Sequence, residues 1–274
     1  EVVSFRAWGI TSLADYYDNS YYDPMLMHNG VDKKYEGYVT DIFFDEAMKW
    51  MEKCQEKSKP FFAYIPTNTP HVPEICPPKY STPYKGKYQG KDIPDVFFGM
   101  IANIDENMGR LETFLKEKKL CDNTIVIFLS DNGSQNKKAV ALYNKGMKDR
   151  KGSLFEGGHR VHLFVRWVNG KLQHGKDISE LAIVQDLLPT LSDLCQLKGD
   201  TSQLDGTSLA PLLQGTETKL NDRICVTQFG PRCNTWEQTV VMKDKWRLLP
   251  DNRLYDVSKD PLQQNNVYEQ FPEI

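Results

Sequence analysis

Thr124-Ile125-Val126-Ile127-Phe128-Leu129 runs directly into Ser130-Asp131-Asn132-Gly133, and the reading of the whole chain turns on this stretch. A short, β-branched, unbroken apolar run predicts a strand buried on both faces. Its end in a carboxylate, an amide and a glycine puts oxygen ligands at a strand's carboxyl end, where open α/β sheets bind ligands. Successive strand side chains point to opposite faces, so Asp131 and Asn132 share one ion only if Gly133 lets the chain turn. Oxygen-only ligands favour Ca²⁺ or Mg²⁺ over zinc. An Asx-type turn closing a strand accounts for the same tetrapeptide, so by itself it defines no site.

Its company is more informative. Upstream, Lys59-Pro60-Phe61-Phe62-Ala63-Tyr64-Ile65-Pro66 predicts a second buried strand, leading into the proline-fixed turn Thr67-Asn68-Thr69-Pro70-His71-Val72-Pro73. Twenty residues beyond Asp131 comes Lys151-Gly152-Ser153-Leu154-Phe155-Glu156-Gly157-Gly158-His159-Arg160-Val161. Together with Met100-Ile101-Ala102-Asn103-Ile104-Asp105-Glu106-Asn107 and the tail around Trp246-Arg247-Leu248 and Leu254-Tyr255-Asp256, these segments resemble the sulfatase family in order and spacing. The likeness covers nearly the whole chain and is closest to the arylsulfatase-like branch.

That resemblance implies an α/β fold, a three-layer alkaline-phosphatase-like sandwich present in part, with a small C-terminal antiparallel sheet subdomain. It places residues 1–220 in the catalytic domain and 221–274 in the subdomain. It further implies a calcium-dependent sulfuric ester hydrolase acting on a sulfated small molecule or glycan, in a lysosomal or secreted setting. Asp131 and Asn132 match the family's second pair of ligands to one Ca²⁺. Lys151 and His71 match residues that contact the sulfate and serve as catalytic or substrate-binding groups. His159 is a lesser substrate-binding candidate, and packing accounts for it equally. His162 departs from the pattern, since relatives usually carry proline after Arg-Val.

The family's nucleophile is a cysteine in Cys-x-Pro-Ser-Arg, oxidised to formylglycine. None of the six cysteines here (54, 76, 121, 195, 225 and 233) is followed by that pattern, and Cys76-Pro77-Pro78-Lys79 lacks the serine and arginine. No two aspartates are adjacent either, so the family's early Asp-Asp metal pair is also missing. The expectation is therefore the C-terminal part of a sulfatase, inactive by itself. Two other classes stay in view. Phosphate-ester hydrolases of the alkaline-phosphatase-like superfamily carry Asp-His at this strand end because imidazole suits zinc, and Asn132 argues against them. A non-catalytic anion-binding homologue would retain the same residues.

Read without the resemblance, Lys151 sits among Lys137, Lys138, Lys145, Lys148 and Arg150 against a single acid, Asp149, and such runs are usually solvated faces. His71 alone reads as a loop histidine immobilised by Pro70 and Pro73. Tyr16, Tyr17, Tyr21 and Tyr22 read as packing and turn residues more readily than as a substrate mouth. The sequon Asn132-Gly133-Ser134 would make a poor glycosylation acceptor beside a buried strand end.

Composition agrees with an ordinary globular enzyme. A formal net charge of −3 over 274 residues gives no footprint for nucleic acid, and no apolar run is long enough to span a bilayer. Six cysteines without a Cys-x-x-Cys are neither a disulfide framework nor a zinc pattern. Cys225 and Cys233 flank Gly230-Pro231 and suit a pair in an oxidising compartment, with six reduced thiols as the equal alternative. Oligomeric state has no signature. The periodicity predicts helices over residues 41–57 (Phe43, Ala47, Trp50 or Met51, and Cys54 inward), over 95–119 (Phe97, Ile101, Ile104, Met108, Leu111 and Leu115 inward), and over 178–197 with an interruption near Pro189. Strands are expected over 161–167 and, as a small antiparallel sheet, over 224–229, 239–249 and 254–257.

Overall fold

The computed structural model describes residues 1–6, 10, 13–87, 94–230 and 235–274. The chain forms two compact units, residues 1–121 and 122–274.

In the first unit, β1 (Val3–Ser4), β2 (Met25–His28) and β3 (Val31–Lys34) form an antiparallel sheet in that order. The helices are α1 (Val39–Glu56), the short α2 (Pro78–Ser81) and α3 (Asp95–Glu117). Asp41 and Lys53 in the first and last turns of α1, and Asp95 and Lys116 in those of α3, place charge where it favours the helix dipole. Both helices end alike: Ser58 and Lys119 take left-handed backbone (φ 52° and 57°). The next amides, Lys59 and Leu120, then donate to the carbonyls of Cys54 and Leu115, the Schellman closure.

The inward face of α3 keeps Phe97, Leu111 and Leu115 of the apolar stripe its sequence suggests and departs from it elsewhere. Ile101 points out, whereas Met100, Asn103 and Asn107 are buried. Asn103 and Asn107 tolerate burial because both side-chain amides donate to Asp41 Oδ1 on α1, at 2.8 and 2.7 Å. Arg110 extends the network, bonding Asn107 Oδ1 at 2.7 Å and pairing with Asp45. On α1 the buried set is Val39, Thr40, Ile42, Phe44 and Met51, which keeps Met51 of the expected stripe but not Phe43, Ala47 or Cys54.

The apolar run at 59–66 is not a strand, and no ladder pairs with it among the described residues. Phe61, Ala63 and Ile65 are half-buried, Phe61 against Trp50, while Phe62 and Tyr64 are exposed. Hydrophobicity makes a segment competent to pair, and a strand also needs a partner's backbone.

The second unit begins with β4 (Val126–Leu129), whose residues are half-buried rather than sealed on both faces, and Leu129 is exposed. It pairs antiparallel with β5 (Leu163–Arg166), Phe128 opposite Phe164. Between them lie α4 (Lys137–Leu142) and α5 (Glu156–His159). After β5, a 3-10 turn leads into α6 (Leu187–Leu194), followed by α7 (Ala210–Gln214). Residues 178–183 are not helical. Pro189 therefore interrupts nothing: it lies in the first turn of α6, where amides have no intrahelical acceptor.

The C-terminal antiparallel sheet is present as expected, in the order β6 (Cys225–Gln228), β7 (Thr239–Lys243), β8 (Trp246–Leu249) and β9 (Arg253–Asp256). The single strand expected over 239–249 is a hairpin, with Asp244 in left-handed backbone at the turn. The boundary expected near residue 220 falls inside this unit. Cys225, Val240, Met242, Leu249 and Tyr255 share one apolar cluster with Leu154, Phe155, Leu181 and Ile183. Cys225 is a buried free thiol, its pKa pushed up by burial, and Cys233 lies outside the described residues. Among the described residues no helix is long and apolar enough to cross a membrane.

Asp186 is fully buried at the start of α6. Burial alone would raise its pKa. The Arg223 guanidinium and the amides of Ile183 and Thr207 outweigh that and hold it below the ordinary 3.8. A carboxyl depressed in the native state stabilises above its unfolded pKa, and that stability is lost as pH falls through the native value. Acid titration is thus expected to weaken this unit below the ordinary aspartate range. Asp186→Asn should flatten that acid limb in urea melts at stepped pH, and an unchanged limb would assign it to other carboxyls.

Candidate active site

The turn after β4 is built by its own short side chains. Ser130 Oγ donates to the Asn132 carbonyl (3.1 Å), and Asn136 caps α4 by accepting the Lys138 and Ala139 amides (3.0 Å each). The conformation at Gly133 is not left-handed, so the turn does not require glycine for its dihedrals. It requires glycine for contact: a Cβ there would overlap the Gly157 carbonyl oxygen. The Gly133 amide donates to the Gly158 carbonyl and the Lys151 amide to the Ser134 carbonyl, each at 3.0 Å. Two motifs twenty residues apart, counted from Asp131 to Lys151, are therefore bonded backbone to backbone.

The segment bearing Lys151 is itself tightly wound. Gly157 donates to the Lys148 carbonyl (2.8 Å) and Gly158 to the Phe155 carbonyl (2.8 Å). A side chain on either glycine would strike the carbonyl of Asp149 or Ser153. Lys151 is half-buried. Among the described residues its ammonium, the exposed Asp131 carboxylate and the half-buried Asn132 amide have no side-chain hydrogen bond or ion pair. Two oxygen donors left uncommitted in this way fit a hard cation.

His159 is turned inward, its Nε2 donating to the Leu154 carbonyl at 3.2 Å. Burial pushes its pKa down, which keeps the imidazole neutral. His162, where proline was expected, opens the way into β5 and stacks on Phe128 with ring centres 5.0 Å apart. His71 belongs to the first unit, between cis peptide bonds at Pro70 and Pro73. It is exposed, and Nδ1 donates to the Val72 carbonyl (2.9 Å), which leaves Nε2 facing solvent. The structure thus bonds the backbone of the turn after Asp131 and Asn132 to that of the Lys151 segment within one unit, and carries His71 in the other. Of the early tyrosines, Tyr21 is core, Tyr22 packs on Tyr38, Tyr16 bonds Asp32, and Tyr17 is exposed.

Two clusters escaped the sequence reading. Glu1, His28 and Glu46 converge, with Nε2 of His28 2.9 Å from Glu1, but Lys53 and Lys49 already neutralise the two carboxylates. Glu156, fully buried, pairs with Arg247 Nε at 2.7 Å and Arg160 at 3.1 Å. No local pattern announces a partner 91 positions away.

The chain belongs to the sulfatase family: the family model described as Sulfatase matches residues 5–197. It is 30% identical over 197 residues to an uncharacterized sulfatase, YdeN, of Escherichia coli (strain K12), covering 71% of this chain and 34% of that protein. An arylsulfatase of Clostridium perfringens is 26% identical, covering 84% of this chain and 53% of its own length. The solved structure of Ps i-CgsB in complex with k-i-k-neocarrahexaose superposes with a TM-score of 0.80 at 27% identity, covering 91% of this chain and 55% of that one. The chain spans about a third to a half of the curated relatives it matches. Its fold is the sulfatase α/β fold with a small C-terminal antiparallel sheet.

Proposed function

We propose that this chain supplies the sulfate-contacting lysine and one pair of calcium ligands of a sulfuric ester hydrolase acting on sulfated glycans. The observation that supports this best is the backbone interlock of the Asp131-Asn132-Gly133 turn with the Lys151 segment. It draws the segment that carries an unpaired ammonium against the turn that carries two uncommitted oxygen donors, the groups a sulfate ester and a hard cation need. Asp131 and Asn132 would hold Ca²⁺, which when bound polarises a sulfate oxygen. The Lys151 ammonium binds a second sulfate oxygen and neutralises charge as the ester S–O bond lengthens. As the sulfuryl group passes to the nucleophile of the Cys-x-Pro-Ser-Arg motif, which this sequence does not contain, the departing alkoxide takes a proton from Lys151.

The choice of glycan esters draws on part of the relatives, others of which, such as the Clostridium perfringens protein, are named arylsulfatases. Two are named N-acetylgalactosamine-6-sulfatase, from Canis lupus familiaris and Sus scrofa, and one structure carries a neocarrahexaose. A lysosomal or extracellular site of action belongs to the same proposal and rests on family membership alone.

Three outcomes test it. The purified 274-residue chain, which contains no Cys-x-Pro-Ser-Arg, is expected to turn over no 4-nitrophenyl sulfate, and measurable turnover overturns that part. In a polypeptide joining this chain to that motif, Lys151→Ala should lower kcat/KM by roughly 10²–10³, the usual cost of one anion-stabilising donor. Asp131→Ala in the same protein should abolish activity and weaken Ca²⁺ binding; unchanged calcium affinity removes Asp131 from the site.

A further inference from the structure

We propose that Arg247 and Gln263 are positioning residues for the Lys151 and Asp131 site, so that the C-terminal sheet acts as the clamp on the site's main loop. This inference rests on the sulfate-site reading above for its function, but not for its geometry.

The clamp has two jaws. Arg247, on β8, is itself immobilised: its Nη1 donates to the carbonyls of Asp244 (2.7 Å) and Trp246 (2.9 Å), on its own hairpin. That leaves Nε to reach the Glu156 carboxylate at 2.7 Å, with both side chains nearly sealed from water (8% and 1% exposed). A paired ionic contact without solvent has a narrow range of geometries, so it holds Glu156 in place rather than merely nearby. Gln263 forms the second jaw. Its Oε1 accepts the Glu156 amide at 2.8 Å, and its carbonyl accepts Lys148 Nζ at 3.0 Å. Lys148 also lies over the Phe155 ring (4.0 Å), which packs edge-on against Tyr255 of β9.

Residues 148 and 156, one near each end of the segment that carries Lys151, are therefore tied to the C-terminal region. From Glu156 the connection continues through Gly157 and Gly158 to the Gly133 amide, and so to Asp131 and Asn132. Gly157 returns to the Lys148 carbonyl and closes the loop on itself. Both ligand-bearing motifs thus hang from one buried ion pair and one buried amide. Neither Arg247 nor Gln263 touches substrate in this scheme; each acts through the loop.

The full 274-residue chain tests this with Arg247→Met, Arg247→Lys and Gln263→Leu. Two readouts are used: hydrogen exchange at the Gly133, Lys151 and Gly158 amides, and sulfate titration followed at the same amides. The expected result is a loss of protection of tenfold or more at these three amides in Arg247→Met, with the β6–β7 ladder amides of Val226 and Val241 unchanged. Sulfate affinity should fall about as far, and Arg247→Lys, which restores one charged N–H, should recover part of it. A folded Arg247→Met chain with wild-type protection and sulfate affinity overturns the clamp and leaves the sulfate site standing. A wild-type chain with no sulfate response overturns the sulfate reading, while local loss of protection in the variant still supports the clamp. If Arg247→Met does not fold, Gln263→Leu decides by the same amides, and unaltered protection there overturns the proposal.

Discussion

Asp186→Ala is expected to destabilise residues 122–274 by about 3–5 kcal/mol, the usual cost of removing one partner from a buried ion pair. Asp186 is fully buried, and its two oxygens accept both Arg223 Nη groups at 2.7 Å. They also accept the amides of Ile183 and Thr207, each at 2.8 Å. Alanine would leave the Arg223 guanidinium, only 17% exposed, beside a small apolar void and strand two backbone donors. Through those donors Asp186 also ties the entry to α6 to the segment after it, and its carbonyl receives Thr190 Oγ1, which in turn accepts the Leu209 amide. Urea unfolding followed by circular dichroism measures the effect. A loss under about 1 kcal/mol would mean that water replaces the carboxylate, and that the pair contributes no more than a surface one.

Gly133→Ala should have the largest effect on the site for its size. The backbone at this position is one any residue adopts, so the unfolded-state gain of alanine over glycine would ordinarily stabilise slightly. Contact reverses the sign. The added methyl overlaps the Gly157 carbonyl, a backbone atom already committed to a wound segment, so the turn and the loop must part. Overpacking of this kind costs about 1–3 kcal/mol. The hydrogen bond from Gly133 to Gly158 goes with it. In a polypeptide carrying the nucleophile motif, the expected outcome is a fall in kcat/KM of roughly 10² or more. That follows from the steep dependence of rate on placement of the reacting groups. Gly109→Ala is the control: it has open space around it and helical backbone, and should leave both activity and stability near wild type. Equal activity in the Gly133 and Gly109 variants would show that the interlock does not organise the site.

These two residues divide what was legible from what was not. Local chemistry announced the elements that depend on neighbours in sequence. The apolar run into Ser130-Asp131-Asn132-Gly133 is a strand and turn, the long periodic segments are α1 and α3, and the tail is an antiparallel sheet. Side-chain periodicity and turn chemistry act within a few residues, so reading along the chain suffices. The same reading failed where the answer lay in another part of the chain. The run at 59–66 carries strand-like composition but finds no ladder among the described residues, and α3 turns asparagines inward because Asp41 satisfies them.

By itself the amino-acid sequence determined the family and the strand-end position of Asp131 and Asn132. Tertiary structure alone decided that Gly133 is needed for closeness rather than for conformation, and that Glu156 finds Arg247 and Gln263. The physical reason is range. Dihedral preference and side-chain periodicity are written within a turn or two of each residue, whereas steric exclusion and buried charge pairing exist only between atoms that folding has already brought together.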